Sequence, residues 1–328
     1  MSVRSAMRLL RNAALAVLAL FLSLPGPAAA YPERPIRIII GYAPGSTIDL
    51  MARHIAEQLS KLGGQPVIVE NRPGAISAVA AQAVANAKPD GYTLLIAPDA
   101  AMAGNKFMFK QLNYDTEKDF AAVATVAVFE SFVLTIEPKK TPARTLAELS
   151  DYLKKKNTPT FYGVPNNVAL VLAETYKVNA GFKAERINYK TSTDTLGDLQ
   201  AGQIDFFFSD LQTVANRIKE GRLHGVGVAG PNRSTTLPDV PTLAEAGMPG
   251  LELDPWQAVF MHANTPPAIR EQLGKWLVEI ASREEFKTLL HKLGALPYVA
   301  GPAEADKRLR DRTSVWKRLA DVAKIVPE

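Results

Sequence analysis

A short loop near the start of the chain has the residue types that bind an anion through the backbone. Residues 43–49 read Ala-Pro-Gly-Ser-Thr-Ile-Asp and lie between a predicted strand and a predicted helix. Gly45 lets the backbone approach a guest closely, and the first N–H groups of a helix carry partial positive charge. A carboxylate fits such a site without any arginine. The residues predicted to contact it here are Tyr42, Pro44, Gly45, Ser46 and Thr47.

The same loop has a structural interpretation at two of its positions. Ser46 and Asp49 stand three residues apart, which is the spacing of a capping box, and the helix dipole also favours an acid at Asp49. We therefore interpret Asp49 as a capping residue. For the backbone of residues 45–47, ligand contact is the preferred interpretation.

The sequence contains no set of residues with the spacing of a catalytic or metal centre. There is no cysteine, no P-loop, no H-E-x-x-H and no G-x-S-x-G. Residues 225–230 match G-x-G-x-x-G, but Pro231 follows in place of the helix that a dinucleotide site needs. The four histidines are far apart in the sequence, at His54, His224, His262 and His291. We therefore predict a protein that is not an enzyme and uses neither a metal nor a cofactor.

The first thirty residues have the three-part layout of a secretory signal peptide. Three arginines without an acidic residue precede an apolar run over residues 13–24, and Ala28, Ala29 and Ala30 follow two prolines. The run has 12 residues, which is short of the roughly 20 needed to cross a bilayer. The sequence predicts cleavage near Ala30 and export to the periplasm.

Removal of this segment changes the charge of the protein. The whole chain carries 38 basic and 33 acidic residues, but residues 1–30 contain three arginines and no acid, so 35 basic residues remain against 33 acidic ones. A nearly neutral surface without long basic runs is not typical of nucleic-acid binding or of a polybasic membrane anchor. The expected partner is a small molecule.

Short apolar strands alternate with amphipathic helices after residue 31. Residues 36–40 predict a buried strand, and the next helix has apolar residues at three- and four-residue steps. Those residues are Ile48, Met51, Ile55, Leu59 and Leu62. This alternation predicts parallel sheets covered on both faces.

A second set of alternating elements follows residue 129, and the chain is long enough for two domains. We predict that crossings near residues 128–136 and 254–262 form a hinge. The final helices, after about residue 266, are expected to return to the first lobe. The predicted lobes are residues 31–130 with 255–328, and residues 131–254.

A series of short motifs runs through almost all of residues 31–323. Glu-Asn-Arg-Pro-Gly-Ala at residues 70–75 and Leu-Pro-Asp-Val-Pro-Thr at residues 237–242 are highly specific together. Pro-Asp-Gly-Tyr-Thr at residues 89–93 and Gly-Gln-Ile-Asp at residues 202–205 belong to the same series. In this order the motifs closely resemble the substrate-binding proteins of tripartite tricarboxylate transporters, the Bug or TctC-like family.

The resemblance implies a type II periplasmic-binding-protein fold. In this fold two α/β lobes, joined by a two-strand hinge, close on a ligand in the cleft between them. The ligands of the family are typically di- or tricarboxylates, aromatic acids or amino acids, held by backbone amides of the first loop and by water. The resemblance therefore implies a binding protein, expected to be a monomer, whose partners are a small carboxylate and the permease subunits of a transporter.

The sequence departs from the family pattern at positions expected to line the cleft. Ala101 stands where a hydroxyl residue is usual, residues 165–169 replace a Gly-Ser pair followed by His, and Thr191 stands where Gly is common. Asp99 and Asp210 raise the alternative of a guest with an amino group or another cationic group. The candidate cleft residues beyond the first loop are Asp99, Ala100, Ala101, Asn166, Asn167, Thr191 and Asp210.

Three other functions remain as alternatives. An orphan receptor that presents its ligand to a sensor kinase would have the same sequence features as a transport receptor. An enzyme on the same scaffold would need a nucleophile–base pair or a metal set in the cleft. A structural or adhesive exported protein would need repeats or a large exposed apolar patch, and the sequence shows no sign of either.

Overall fold

The computed structural model describes residues 31–327, and the predicted signal peptide at residues 1–30 lies outside them. Within the described residues, eleven strands form a six-stranded and a five-stranded sheet. The strands are β1 (Ile36–Ile40), β2 (Val67–Asn71), β3 (Thr93–Pro98), β4 (Phe120–Phe129), β5 (Val133–Ile136), β6 (Phe161–Val164), β7 (Glu185–Asn188), β8 (Phe206–Ser209), β9 (His224–Val228), β10 (Trp256–His262) and β11 (Ala295–Ala300).

Helices cover both sheets, as the alternation of apolar patterns predicts. The α-helices are α1 (Thr47–Gly63), α2 (Ala78–Ala85), α3 (Thr116–Asp119), α4 (Leu146–Lys155), α5 (Asn167–Ala180), α6 (Ser192–Ala201), α7 (Leu211–Lys219), α8 (Pro267–Ser282), α9 (Glu284–Lys292) and α10 (Pro302–Val322). A short π-helix, Ala100–Gly104, follows β3 directly. None of the helices in residues 31–327 combines the length and the apolar character needed to cross a membrane.

The first sheet has the strand order β11-β4-β10-β3-β1-β2. β1 pairs in parallel with β2 and β3, whereas β10 runs antiparallel to β3 and β4. All four isoleucines of β1 are buried, as expected for a strand covered on both faces. The carboxyl ends of β1 and β3 therefore open onto the loops where parallel sheets place their ligands.

The second sheet has the strand order β7-β6-β8-β5-β9. β6 pairs in parallel with β7 and β8, and β5 runs antiparallel to β8 and β9. Phe206, Phe207 and Phe208 of β8 are fully buried, and Tyr162 of β6 stacks on Phe206 with ring centroids 5.5 Å apart. These aromatic side chains form much of the core of the second lobe.

Two chain segments connect the sheets and are hydrogen-bonded to each other. The N–H of Phe129 donates to Pro255 O at 2.8 Å, and the hydroxyl of Ser131 donates to Leu253 O at 3.1 Å. The predicted two-lobed fold with a two-strand hinge is therefore confirmed.

The last helix packs on the first lobe and also contacts the second, and the sequence analysis did not predict this second contact. α8 and α9 pack on the first sheet, but α10 packs on β4 and also on α5 of the second lobe. Thr175 of α5 donates its hydroxyl to Leu319 O of α10 at 3.5 Å, and Trp316 is fully buried. The apolar face of α10 packs against the cores of both lobes. The helical pattern of the sequence alone does not predict this second contact.

Candidate functional site

A cavity of about 370 Å³ lies between the two lobes. Its lining comes from the loops after β1 and β3, from both hinge segments and from the starts of helices in each lobe. The lining residues are Gly41, Tyr42, Thr47, Ile48, Ile76, Ser77, Pro98, Ala100, Phe129, Glu130, Phe132, Asn166, Asn167, Val168, Asp210, Gln212, Pro255 and Gln257.

Half of the twelve residues predicted from the sequence lie in this lining. They come from four separate stretches of the chain, which the fold brings together at one cavity. The predicted residues that line it are Tyr42, Thr47, Ala100, Asn166, Asn167 and Asp210. The predicted residues outside the lining are Pro44, Gly45, Ser46, Asp99, Ala101 and Thr191.

The N-termini of four α-helices meet at the cavity. α1 contributes its first two residues to the lining, and α2, α5 and α7 contribute the residues that begin or cap them. The first N–H groups of a helix have no partner within the helix, and the aligned peptide dipoles place about half a positive charge at that end. The arrangement favours an anionic group in the space between the lobes.

Two of these helices are capped by side chains that also line the cavity. Asn166 Oδ1 accepts a hydrogen bond from Ala169 N at 3.0 Å, and Asp210 Oδ1 accepts one from Thr213 N at 3.0 Å. Each cap satisfies the third free N–H group of its helix and leaves the first two near the cavity. The caps therefore fix the first turns of α5 and α7 and leave some of the backbone N–H groups there without a partner in the helix.

The first loop uses part of its backbone for its own structure. Gly45 N donates to Asp49 Oδ2 at 2.9 Å, and Ser46 N donates to Ala43 O at 3.2 Å. Both N–H groups are thus engaged within the loop and are not free to donate to a ligand. The N–H groups of Thr47 and Ile48 precede the first intrahelical bond, from Leu50 N to Ser46 O, and both of these residues line the cavity.

Asp49 holds this loop in place. Its carboxylate also accepts from Arg53 Nε at 2.8 Å and from Asn71 Nδ2 at 2.8 Å, while its own N–H donates to Ser46 Oγ. Hydrogen bonds from Arg53 are the largest effect that lowers the pKa of Asp49 to about 2. Ser46 caps α1 as predicted, but the carboxylate of Asp49 accepts from Gly45 N and not from Ser46 N, so the predicted capping box is only half formed. The contacts of Asp49 tie the loop after β1 to the end of β2.

Asp99 lies behind the cavity wall. Its buried carboxylate accepts from Trp256 N at 3.2 Å and from Trp316 Nε1 at 3.1 Å, and Arg312 Nε lies 3.5 Å away. Burial raises the pKa of Asp99, and the nearby guanidinium of Arg312 opposes that change. The side chain joins α10 to β10, and the structure does not bring it to the cavity surface.

Ala101 and Thr191 have structural environments of their own. The carbonyl of Ala101 accepts the hydroxyl of Tyr114 at 2.7 Å within the core beside the π-helix. Thr191 is exposed and caps α6, where its Oγ1 accepts from Asp194 N at 3.1 Å. Both positions were selected because they depart from the family pattern, and neither lies in the cavity lining.

Several cavity residues were missed by the sequence analysis. One of them is Gln257, which is only 3% exposed and lies in the otherwise apolar run of β10. Its side chain and that of Ser77 lie beside the hydroxyl of Tyr42. Burial raises the pKa of Tyr42 to about 12, so the phenol remains a hydrogen-bond donor at neutral pH. A single glutamine inside an apolar strand is the signal that could have identified this position.

Two lining side chains have a polar atom without a hydrogen-bond partner. Among the described residues, five buried side-chain atoms lack one, and Asn167 Nδ2 and Gln257 Oε1 are the two that belong to the cavity lining. Buried polar groups are almost always hydrogen-bonded. These two atoms, a donor in the second lobe and an acceptor in the first, therefore have hydrogen-bonding capacity that the described residues do not use.

Three consecutive residues beside the cavity have left-handed backbone conformations. The φ angles of Ala75, Ile76 and Ser77 are 43°, 50° and 61°, and such angles are uncommon outside glycine, above all for a β-branched residue. Gly41 packs so closely on this turn that an added Cβ would lie 2.2 Å from Ser77 Oγ. The turn brings Ile76 and Ser77 into the cavity lining at a cost in backbone strain.

The charged residues of the lining are both acidic. Glu130 and Asp210 are its only titratable carboxylates, and the described lining contains no lysine or arginine. Glu130 Oε1 accepts from Ser234 Oγ at 3.0 Å and from Thr235 N at 2.8 Å. Burial tends to raise the pKa of Glu130, but hydrogen bonds from Thr236, Thr235 and Ser234 lower it overall. The helix N-termini are therefore the source of partial positive charge in the described lining. In residues 31–327, no group of three or more His, Cys, Asp or Glu could hold a metal ion.

Comparison with known proteins agrees with the fold. The family model for the tripartite tricarboxylate transporter family receptor, TctC, matches residues 51–324. A UPF0065 protein of Bordetella bronchiseptica is 33% identical over 322 residues, which cover 97% of this chain and 95% of the relative.

Two solved structures with bound acids have the same fold. R. palustris Rpa4515 with adipate is 28% identical, with a TM-score of 0.77 over 91% of this chain and 100% of that one. MatC from Rhodopseudomonas palustris with bound malate is 26% identical, with a TM-score of 0.72 over 89% of this chain and 100% of that one. Since the family model covers most of the sequence and the relative is similar along nearly its whole length, this chain belongs to the tripartite tricarboxylate transporter receptor family, the Bug or TctC-like solute-binding proteins.

Proposed function

We propose that this protein is a periplasmic receptor that captures a small carboxylate in the cavity between its lobes and delivers it to the membrane subunits of a tripartite tricarboxylate-type transporter. The observation that carries the proposal is the meeting of four α-helix N-termini at a cavity whose lining contains no lysine or arginine. Such a site binds an anion through backbone N–H groups and helix dipoles.

Two relatives support the class of ligand. The R. palustris structures contain adipate and malate, both of which are carboxylates. In this chain Thr47 and Ile48 offer free N–H groups on one side of the cavity, and the start of α5 offers them on the other. A carboxylate held between the two lobes would stabilise their closed arrangement.

The lobe boundaries belong to this proposal. The chain changes sheet between Phe129 and Val133 and again between Val228 and Trp256, which supports a division at the two hinge segments. Export rests on the signal-peptide pattern of residues 1–30. The proposed lobes are residues 31–130 with 255–328, and residues 131–254, in a monomer.

Native mass spectrometry of the protein purified from the periplasm tests the ligand directly. We expect a retained small molecule that carries a carboxyl group and fits a cavity of about 370 Å³. The same acid should raise the melting temperature of ligand-free protein. Retention of a cationic or uncharged compound, or of none together with no thermal shift by any small acid, would contradict the proposal.

Uptake measurements test the transport role. Cells that lack this protein should accumulate the labelled acid slowly, and expression of the protein should restore the rate. Uptake that is the same with and without the protein would remove the transporter from the proposal, while leaving the binding site in place.

A further inference from the structure

Gln257 places an unsatisfied acceptor in the wall of the first lobe. Its side chain is 3% exposed, its Oε1 has no hydrogen-bond partner, and it lines the cavity. The neighbouring hydroxyl of Tyr42 contacts the same side chain. Because a buried acceptor without a donor lowers stability, a guest that donates a hydrogen bond here gains binding energy that other guests do not.

Asn167 places an unsatisfied donor in the opposite lobe. Its Nδ2 has no partner and lies at the first turn of α5, where the helix N-terminus adds partial positive charge. The neighbouring Asn166 is already used as the cap of that helix. This wall therefore suits a carboxylate or a carbonyl oxygen of the guest.

The Gln257 side of the cavity thus favours a hydrogen-bond donor on the ligand, whereas the Asn167 side favours an acceptor. An ionised carboxylate has only acceptors, so a second carboxylate would face the acceptor Oε1 of Gln257 without a hydrogen bond. The lining offers no lysine or arginine to compensate a second negative charge, and it already contains Glu130 and Asp210. A neutral group with an O–H or N–H satisfies Gln257 and adds no charge.

We propose that the ligand is a monocarboxylate whose other end carries an uncharged hydrogen-bond donor, a hydroxyl or an amide N–H. Gln257 accepts from that donor, and Asn167 donates to the carboxylate or to a carbonyl oxygen. This inference rests on the proposed function, since it takes the guest to be a small carboxylate. It distinguishes this chain from the two relatives that were solved with the dicarboxylates adipate and malate.

Matched series of acids test the proposal by titration calorimetry on ligand-free protein. Each series compares a dicarboxylate (succinate, glutarate or adipate) with its half-amide and with the ω-hydroxy acid of the same length. We expect the half-amide or the hydroxy acid of the best-fitting length to bind at least about tenfold more tightly than the dicarboxylate, the factor that corresponds to one net hydrogen bond.

Two variants assign this preference to Gln257. Gln257→Leu removes the acceptor at similar size and should reduce the preference to less than about threefold. Gln257→Glu keeps an acceptor and adds a charge, so it should still bind the half-amide and should bind the dicarboxylate more weakly than the wild type does. Gln203→Leu makes the same change at an exposed turn and is the matched control, for which no change is expected.

The possible outcomes separate this inference from the proposed function. Equal or tighter binding of the dicarboxylate by the wild type would overturn the inference, while confirming that the cavity binds carboxylates. A preference for the neutral donor that persists undiminished in Gln257→Leu would overturn the role of Gln257. No binding of any acid, together with a retained ligand that is not an acid, would contradict the proposed function and the inference with it.

Discussion

At the scale of single residues, the adjacent Asn166 and Asn167 have different roles: the first caps a helix, and the second has a side-chain donor that the protein does not use. Asn166 turns its Oδ1 to Ala169 N and caps α5, whereas Asn167 Nδ2 has no acceptor among the described residues and faces the cavity. The sequence presents the two side chains as equivalent. Only the start of the helix, between Asn166 and Asn167, determines which of them is free.

Replacement of Asn167 by alanine should therefore weaken ligand binding without much effect on folding. Loss of one hydrogen bond to the guest corresponds to about 1–2 kcal/mol in binding free energy. Titration calorimetry with the retained ligand measures the change. Asn157→Ala, in an exposed turn, is the matched control, and equal affinities for the two variants would show that Asn167 does not contact the ligand.

Asp49 should make stability depend on pH in the acidic range. Its pKa is lowered from 3.8 to about 2 in the folded protein, so its contribution is complete above pH 4 and is lost as the pH falls toward 2. Asp49→Asn should reduce the free energy of unfolding by about 1 kcal/mol at pH 7, because the ion pair with Arg53 is partly exposed to solvent.

Urea unfolding at several pH values measures this difference. The gap between the wild type and Asp49→Asn should narrow as the solution is acidified. Asp311→Asn, on the exposed face of α10, provides the control for removal of one carboxylate. If the difference in free energy of unfolding stayed constant from pH 7 to pH 3, the charge of Asp49 would make no contribution to stability.

At the scale of elements, the turn between β2 and α2 carries strain beside the cavity. Ala75 has a φ of 43° and is exposed, so its methyl group gains little from burial. Glycine adopts this conformation readily, and L-residues other than glycine do so at a cost of roughly 1 kcal/mol. Ala75→Gly should therefore stabilise the protein by about 0.5–1 kcal/mol, as measured by chemical denaturation.

Ala147 provides the matched control for that substitution. It is also exposed but lies in α4, where a change from alanine to glycine costs up to about 1 kcal/mol. The two variants should thus shift stability in opposite directions. A loss of stability in both would mean that the left-handed turn carries no strain that glycine can relieve.

The sequence was most informative about elements with a regular apolar pattern. The four isoleucines of β1 are buried as predicted, and so are Ile48, Met51, Ile55 and Leu59 of α1. A local repeat of apolar residues is sufficient to define such a buried face. The double role of α10 was not predictable, because it depends on the distance between two cores. The same limit applies to Asp99, whose partner Arg312 is close only in the folded chain.

At the scale of the whole molecule, the cavity depends on how the two lobes face each other. The sequence indicated the helix starts that surround it, since caps follow local rules. It predicted the two hinge crossings, but it did not indicate that Phe129, Glu130 and Gln257 line the cavity, because their direction depends on the pairing of strands that are far apart in the sequence. Three predicted residues of the first loop lie outside the lining.

One polar contact joins the two lobes beside the cavity. Gln212, at the start of α7 in the second lobe, donates its Nε2 to Gly294 O at 3.2 Å and to Leu293 O at 3.4 Å in the first lobe. Both acceptors follow α9, so the bond spans the space between the lobes beside the cavity that Gln212 also lines. We infer that this contact holds the lobes together while the ligand is bound.

Gln212→Ala should therefore release the ligand faster, with little change in the rate of association. The contact is exposed, so its loss should weaken affinity by about 0.5–1 kcal/mol, and most of that change should be in the dissociation rate. Stopped-flow measurements separate the two rates, with Gln203→Ala as the control for loss of an exposed glutamine. If Gln212→Ala slowed association and left dissociation unchanged, the side chain would act in recognition of the ligand, and lobe closure would depend on the hinge and on α10.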